Sequence, residues 1–224
     1  MKTLADSLGA LYFAFRDIPK PRDIQGCPCC IESKNICTLL SKRLTDLTPD
    51  DLSSYASSAF LTVGEEADYL YFLPRIIEIS ATEQGWWPDV PVTGRAISET
   101  HPGEWPSHRL AALADVLHAV VHKAAGDSDS GAIIDDWICA IAKMGLPVGT
   151  FLKQIEAYPA LLLSFYERNS QSMMKNRLGN SFWDRSDKGY DEVLAWFKSP
   201  SVTRIIMTSY GMYQAASKPA HDNP

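Results

Sequence analysis

The stretch PSHRLAALADVLHAVVHK, residues 106–123, decides the fold class. Pro106 suits a first helical position. Leu110, Leu113, Leu117 and Val121 then recur every three or four residues, the spacing that turns one helix face toward a core. The same period holds along most of the chain. Upstream, Leu4, Leu8, Leu11 and Phe15 share a face before the Pro19-Lys20-Pro21 break, and a helix is expected from about Ser33 to Arg43. Thr48 can cap a helix, Pro49 fits its first position, and Asp50 and Asp51 suit the positive end of its dipole. That helix is expected to run to about Thr62 and stop at Gly64. Another covers Ala67–Ser80, with Pro74 kinking it or marking a late start. The Trp- and Pro-rich stretch from Gly85 to Glu104 reads as a long connection holding one short helix near 94–99.

Downstream, helices are expected over 131–144, 147–157, 159–169 and 190–198. A last one, capped by Ser199 and opened by Pro200, should run to about Ala215. Alternating runs with hairpin turns are missing. The fold class is therefore all-α: a compact orthogonal helical bundle of about nine or ten helices, with an irregular α-solenoid as the alternative. Residues 1–217 read as a single all-helical domain and 218–224 as a loose C-terminal tail.

Composition narrows the function classes. The chain has 224 residues, 46% of them apolar and 21% charged, which excludes a disordered chain. Its longest uncharged runs, 52–64 and 205–217, are 13 residues each, short of the roughly 20 apolar residues of a membrane-spanning helix. The N-terminus lacks the pattern of a secretory signal, so a cytoplasmic protein is expected. The net charge is −6, but it is unevenly placed. Residues 44–136 hold 16 acids against four bases, a segment charge of −12, while residues 1–43 and 137–224 carry +3 each. An acidic chain is a poor binder of phosphate backbones and a good one of cationic partners.

Four sets of residues bear chemistry. Cys27, Cys29, Cys30 and Cys37 fall within eleven positions and could form a thiolate cage for zinc or a redox-active group, although the C-x-C-C spacing also suits a plain tight turn. Asp115, His118 and His122 lie at helical spacing and could ligate a metal, but Ala119 stands where the zincin pattern H-E-x-x-H has its general base. Trp86, Trp87 and Trp105 read as cover for a core more than as a partner surface. The acids Asp50, Asp51, Glu65, Glu66 and Asp68 are the first expected partner contacts. No phosphate loop or nucleophile elbow is found, so no catalytic residue is nominated.

Residues 26–78 resemble an uncharacterised bacterial all-helical family. The resemblance rests on Gly26-Cys27-Pro28-Cys29-Cys30, on Leu44, Leu47, Thr48, Pro49, Asp51 and Leu52, on Tyr55-Ala56, on Thr62 and Gly64, and on Asp68-Tyr69 followed by Tyr71-Phe72-Leu73-Pro74-Arg75. It implies a stand-alone protein of the immunity or antitoxin kind. The leading expectation is thus a cytosolic binding protein whose acidic surface neutralises a cationic toxin. A metal-dependent enzyme built on Asp115, His118 and His122, and a zinc or redox protein built on the cysteines, are the alternatives.

Overall fold

Helical spacing becomes eleven α-helices in the computed structural model, which describes residues 2–127 and 130–212. They are α1 (Leu4–Ala14), α2 (Ser33–Ser41), α3 (Pro49–Ser58), α4 (Glu66–Thr82), α5 (Val90–Ser98), α6 (Ser107–Ala124), α7 (Ser130–Lys143), α8 (Gly149–Glu156), α9 (Pro159–Met173), α10 (Tyr190–Phe197) and α11 (Pro200–Ser209). Among the described residues there is no strand; Val63 forms isolated bridges to Gly26 and Ala59. The expected tail at 218–224 lies outside the described residues, whereas the last helix, expected to reach about Ala215, already ends at Ser209.

The start signals read from sequence do their expected work. Thr48 Oγ1 accepts the Asp51 backbone N–H at 3.2 Å, and the Asp51 carboxylate accepts the Thr48 N–H at 2.8 Å, closing a capping box. Ser199 caps α11, with Pro200 in its first turn. Boundaries depart from expectation at several places: α5 begins at Val90 and not near residue 94, α9 runs on to Met173 and not to 169, and two further places have a clear physical reason. The first is the end of α3, at Ser58. Phe60 takes φ 61°, and the chain turns back so that Thr62 accepts from the Cys27 N–H and Gly64 donates to Gln25. This long-range pairing competes with the helix. The second is α4, which runs through Pro74 as one helix from Glu66, so that Pro74 does not mark a late start. A mid-helix proline costs about 3 kcal/mol. Leu73, Ile76 and Ile77 around it are fully buried, and at roughly 1.5–3 kcal/mol each they outweigh that cost.

The main helix contacts join next-but-one helices, and one joins helices five apart in the chain, which a plain stack of neighbouring repeats would not make. Here α1 lies on α6, α5 on α7, α7 on α9, and α9 on α11. One contiguous apolar cluster extends from Leu8 to Ile206. At its middle is α7, whose Ile134, Trp137, Ile138 and Ile141 are all buried. Its neighbours approach it through glycines. A Cβ built on Gly94 of α5 would lie 2.5 Å from the Ala140 carbonyl oxygen and 2.8 Å from its Cα. One built on Gly131 of α7 would lie 2.6 Å from the Ser164 carbonyl oxygen of α9.

A buried acid also sits on α7. The Asp135 side chain is 1% exposed, and the Arg168 guanidinium answers it at 3.4 Å. Burial, helped by the charge of Asp136, pushes its carboxyl up to about 6, against the partial relief of Arg168.

Two outcomes follow for stability. Gly94→Ala places a methyl against backbone that cannot rotate away, a strain of about 1–3 kcal/mol. That exceeds the gain of up to about 1 kcal/mol in helix propensity, so Tm should fall. Gly9→Ala on α1, where a Cβ meets nothing within 4 Å, should raise it, and thermal melts compare the two. Asp135 binds its proton more tightly folded than unfolded. Its contribution is therefore complete below pH 3.8 and is lost as pH rises through about 6. The loss amounts to about 3 kcal/mol at 1.36 kcal/mol per pH unit. Asp135→Asn should raise Tm at pH 7.5, by about 5–10 °C, and hardly at all at pH 4. An equal shift at both pH values would refute the assignment.

Candidate functional site

The cysteine loop is built by the turn that ends α3. Gly26 bridges Val63, Cys27 donates to Thr62 at 2.9 Å, and Gly64 donates to Gln25 at 2.8 Å. Buried Ile24 and Ile31 anchor the two sides. Between them, Cys30 and Ile31 both donate to the Cys27 carbonyl, at 2.9 and 3.1 Å, closing a tight turn around Pro28. The result sets three thiols together. Cys27 Sγ lies 2.7 Å from Cys29 Sγ, Cys29 Sγ lies 3.7 Å from Cys30 Sγ, and all three fall within 4.8 Å of one another. The hydrogen bond from Cys29 holds the Cys27 thiol below its ordinary value, and the same contact pushes Cys29 up to about 11. Cys29 is exposed, and Cys27 and Cys30 are half-buried.

Cys37 is not part of this group. It is exposed on α2, which turns Leu39, Ile36 and Leu40 toward the core. The four-thiol set expected from sequence is therefore corrected to three. Among the described residues these three cysteines are the one group of three or more His, Cys, Asp or Glu side chains close enough to share a metal ion.

Asp115, His118 and His122 occupy one stripe of α6, as their spacing requires, but they do not converge. Asp115 pairs with Lys2 at 2.7 Å. His118 stacks on Phe151 and places Nδ1 2.6 Å from the Gln154 side-chain oxygen. His122 places Nδ1 2.8 Å from the Tyr158 hydroxyl. The two histidines thus fasten α6 to α8 and to the residue before α9.

The five expected contact acids are also divided. Asp50, Glu65 and Glu66 are exposed. Asp51 is held by Thr48 and by Lys42 at 2.6 Å. Asp68 is buried, and its carboxylate accepts the Glu65 backbone N–H at 2.6 Å. It caps α4 and has no surface to offer a partner, a correction to the expectation. Nor do the exposed acids form one patch. Glu65 and Glu66 sit at the start of α4.

At the other end of α4 is a cleft of about 390 Å³. The C-terminal ends of α4 and α6, the loop before α5 and the first turns of α5 and α7 enclose it. Four acids line it: Glu83, Asp89, Asp127 and Asp136. Lys123 is the lone basic residue in the lining, and its ammonium donates to the Ala81 carbonyl at 3.0 Å. Trp86 and Trp137 supply apolar wall. Trp86 is fixed by its indole N–H, which donates to the Pro49 carbonyl at 2.9 Å, so the start of α3 and its Asp50 lie beside the cleft. Trp105 packs edge-on against Phe15 and covers core as expected, whereas Trp87, which enters the cis peptide bond to Pro88, is 58% exposed. The four lining acids were not singled out by sequence reading. All lie in the −12 segment, and that count was the available signal.

No helix among the described residues is long and apolar enough to cross a membrane. Comparison of the chain with protein-family models, with curated proteins and with solved structures finds no match.

Proposed function

We propose that the protein is a binding module that receives a cationic group of another protein in the acidic cleft at the end of α4. The observation that carries this reading is the lining itself: four carboxylates against one ammonium, around a space of about 390 Å³. That size is in the range of ligand pockets, and it can admit the end of an arginine or lysine side chain. Trp86, half-buried in the wall, offers an aromatic face for a cation to lie on. Acidic surroundings raise the encounter rate with a basic partner and disfavour acidic ones. The concrete form is an immunity or antitoxin protein that neutralises a cationic toxin, in keeping with the resemblance of residues 26–78. Asp50 beside Trp86 extends the surface; Glu65 and Glu66, at the far end of α4, are not needed for it.

The test uses short peptides of known charge. The indole N–H signals of Trp86 and Trp137 should shift when the protein is titrated with tetra-arginine at low salt, and should not shift with tetraglutamate. Reversing Glu83 and Asp89, both exposed at the rim, should weaken tetra-arginine binding by about tenfold, the sum of two exposed ion pairs of up to about 1 kcal/mol each. Added salt should weaken it further. Indole signals that ignore tetra-arginine, or an affinity unchanged by the double reversal, would refute the reading.

A further inference from the structure

We propose that Cys27, Cys29 and Cys30 form a three-thiolate site for one thiophilic cation, best fitted to Cu(I). The site is separate from the acidic cleft and stands or falls independently of it. Three observations carry it. The first is convergence: the three sulfurs lie within 4.8 Å of one another. A cation bound in a plane at a metal–sulfur distance of 2.3 Å spaces its ligands by about 4 Å. The 3.7 Å between Cys29 and Cys30 is already close to that. The 2.7 Å between Cys27 and Cys29 has to open by a little over 1 Å, and exposed Cys29 has room to turn.

The second observation is anchoring. A turn holding three thiols by chance would be expected to hang loose. This one is fastened to the segment after α3 by the Cys27–Thr62 and Gly64–Gln25 hydrogen bonds, and to the core by Ile24 and Ile31. The backbone is thus ordered before any ion arrives, which lowers the entropy cost of binding.

The third is the donor set. It is all sulfur, with no carboxylate or imidazole in the group. Soft thiolates select Cu(I) and Zn(II) over magnesium, calcium or manganese. A structural zinc site takes four protein ligands, and Cys37, the one nearby thiol that could be the fourth, lies outside the group. A monovalent d10 ion content with three sulfurs suits the site better. On binding, each coordinating thiol gives its proton to the solvent and its lone pair to the metal; no electron is transferred.

The experiment titrates the full chain, reduced and without oxygen, with Cu(I) supplied as its acetonitrile complex in competition with bicinchoninate. One equivalent should be withdrawn from the competitor, with a thiolate-to-copper charge-transfer band in the ultraviolet. Cys27→Ser, Cys29→Ser and Cys30→Ser should each weaken binding by more than the roughly 10–100-fold that even outer-sphere changes cost a metal site. Cys37→Ser and the cleft variant reversed at Glu83 and Asp89 should bind as the unaltered protein does. Unchanged helical circular dichroism and melting in the serine variants separate ligand loss from unfolding. The proposal is overturned if the triple serine variant withdraws copper equally well, or if Cys37→Ser loses as much as the other three. Tight binding of one Zn(II) with no retention of Cu(I) would also overturn it.

Discussion

The close seating of α7 between α5 and α9 is the constraint on which the rest of the structure depends. Two glycines create it, one on the neighbour and one on α7 itself. With Gly94 against the Ala140 backbone and Gly131 against the Ser164 hydroxyl and carbonyl, the helices come close enough that a Cβ at either glycine would collide. Dispersion forces fall off steeply with distance, so a gap of even one methyl would forfeit contact along the whole crossing. The apolar face of α7 is thereby sealed on both sides. The same seating fixes the first turns of α5 and α7 side by side, and those turns bring Asp89, Asp136 and Trp137 to the cleft. The cleft is therefore a consequence of core packing. It would not survive as a shaped space if these helices moved apart.

Helix α4 is the second organising element, because the two candidate sites lie at its opposite ends. Its 17 residues span about 24 Å at 1.5 Å per residue. At its C-terminal end, Ser80 to Thr82 and the following Glu83 form one wall of the cleft. At its N-terminal end, Gly64 ties back to Gln25 and so holds the cysteine loop. An aromatic cluster supports that end. Tyr55 stacks on Tyr69 and meets Phe72 edge-on, and Phe60 lies against Tyr69. The Tyr55 and Tyr69 hydroxyls are buried without a hydrogen-bond partner among the described residues, and burial raises both well above the ordinary tyrosine value. The cost is borne by the ring packing that keeps the α3–α4 turn in place under the cysteines.

What was legible in the sequence was what is local. Thr48, Pro49 and Ser199 mark helix starts because a cap needs only neighbours three residues away. The apolar stripe of α6 is legible for the same reason. The end of α3 was not, because its last turn gives way to a pairing with Gln25 and Cys27, more than thirty residues earlier. The candidate sites divide along the same line. Three cysteines within four positions must lie near each other, so that group could be read. Asp115, His118 and His122 share a helix face, as spacing requires, but their partners come from three distant places, Lys2 before α1, Gln154 of α8 and Tyr158 before α9. Asp51 and Asp68 were expected as partner contacts, yet each closes a capping box with the backbone of its own helix start, which spacing alone did not reveal. The cleft gathers its acids from four separate elements, and no spacing rule links them.

The −12 segment makes the same point about charge. In the sequence, basic ends flank an acidic middle. In the fold, the ends come back onto the middle: Lys2 pairs with Asp115, Lys42 with Asp51, Arg43 with Asp46 and Arg168 with Asp135. Arg75, from within the segment, is paired with Glu78. These contacts answer acids at the sides and interior of the bundle. Glu83 and Asp89, at the cleft, take part in no salt bridge among the described residues. The lysine that does reach the cleft, Lys123, is held by a carbonyl. A peptide carbonyl carries no net charge, so that bond orders the ammonium without cancelling it, and the one positive charge is still outnumbered. Folding therefore redistributes the acidity: it is reduced where the chain's own bases can reach, and Glu83 and Asp89 keep theirs at the cleft where α4, α5, α6 and α7 meet.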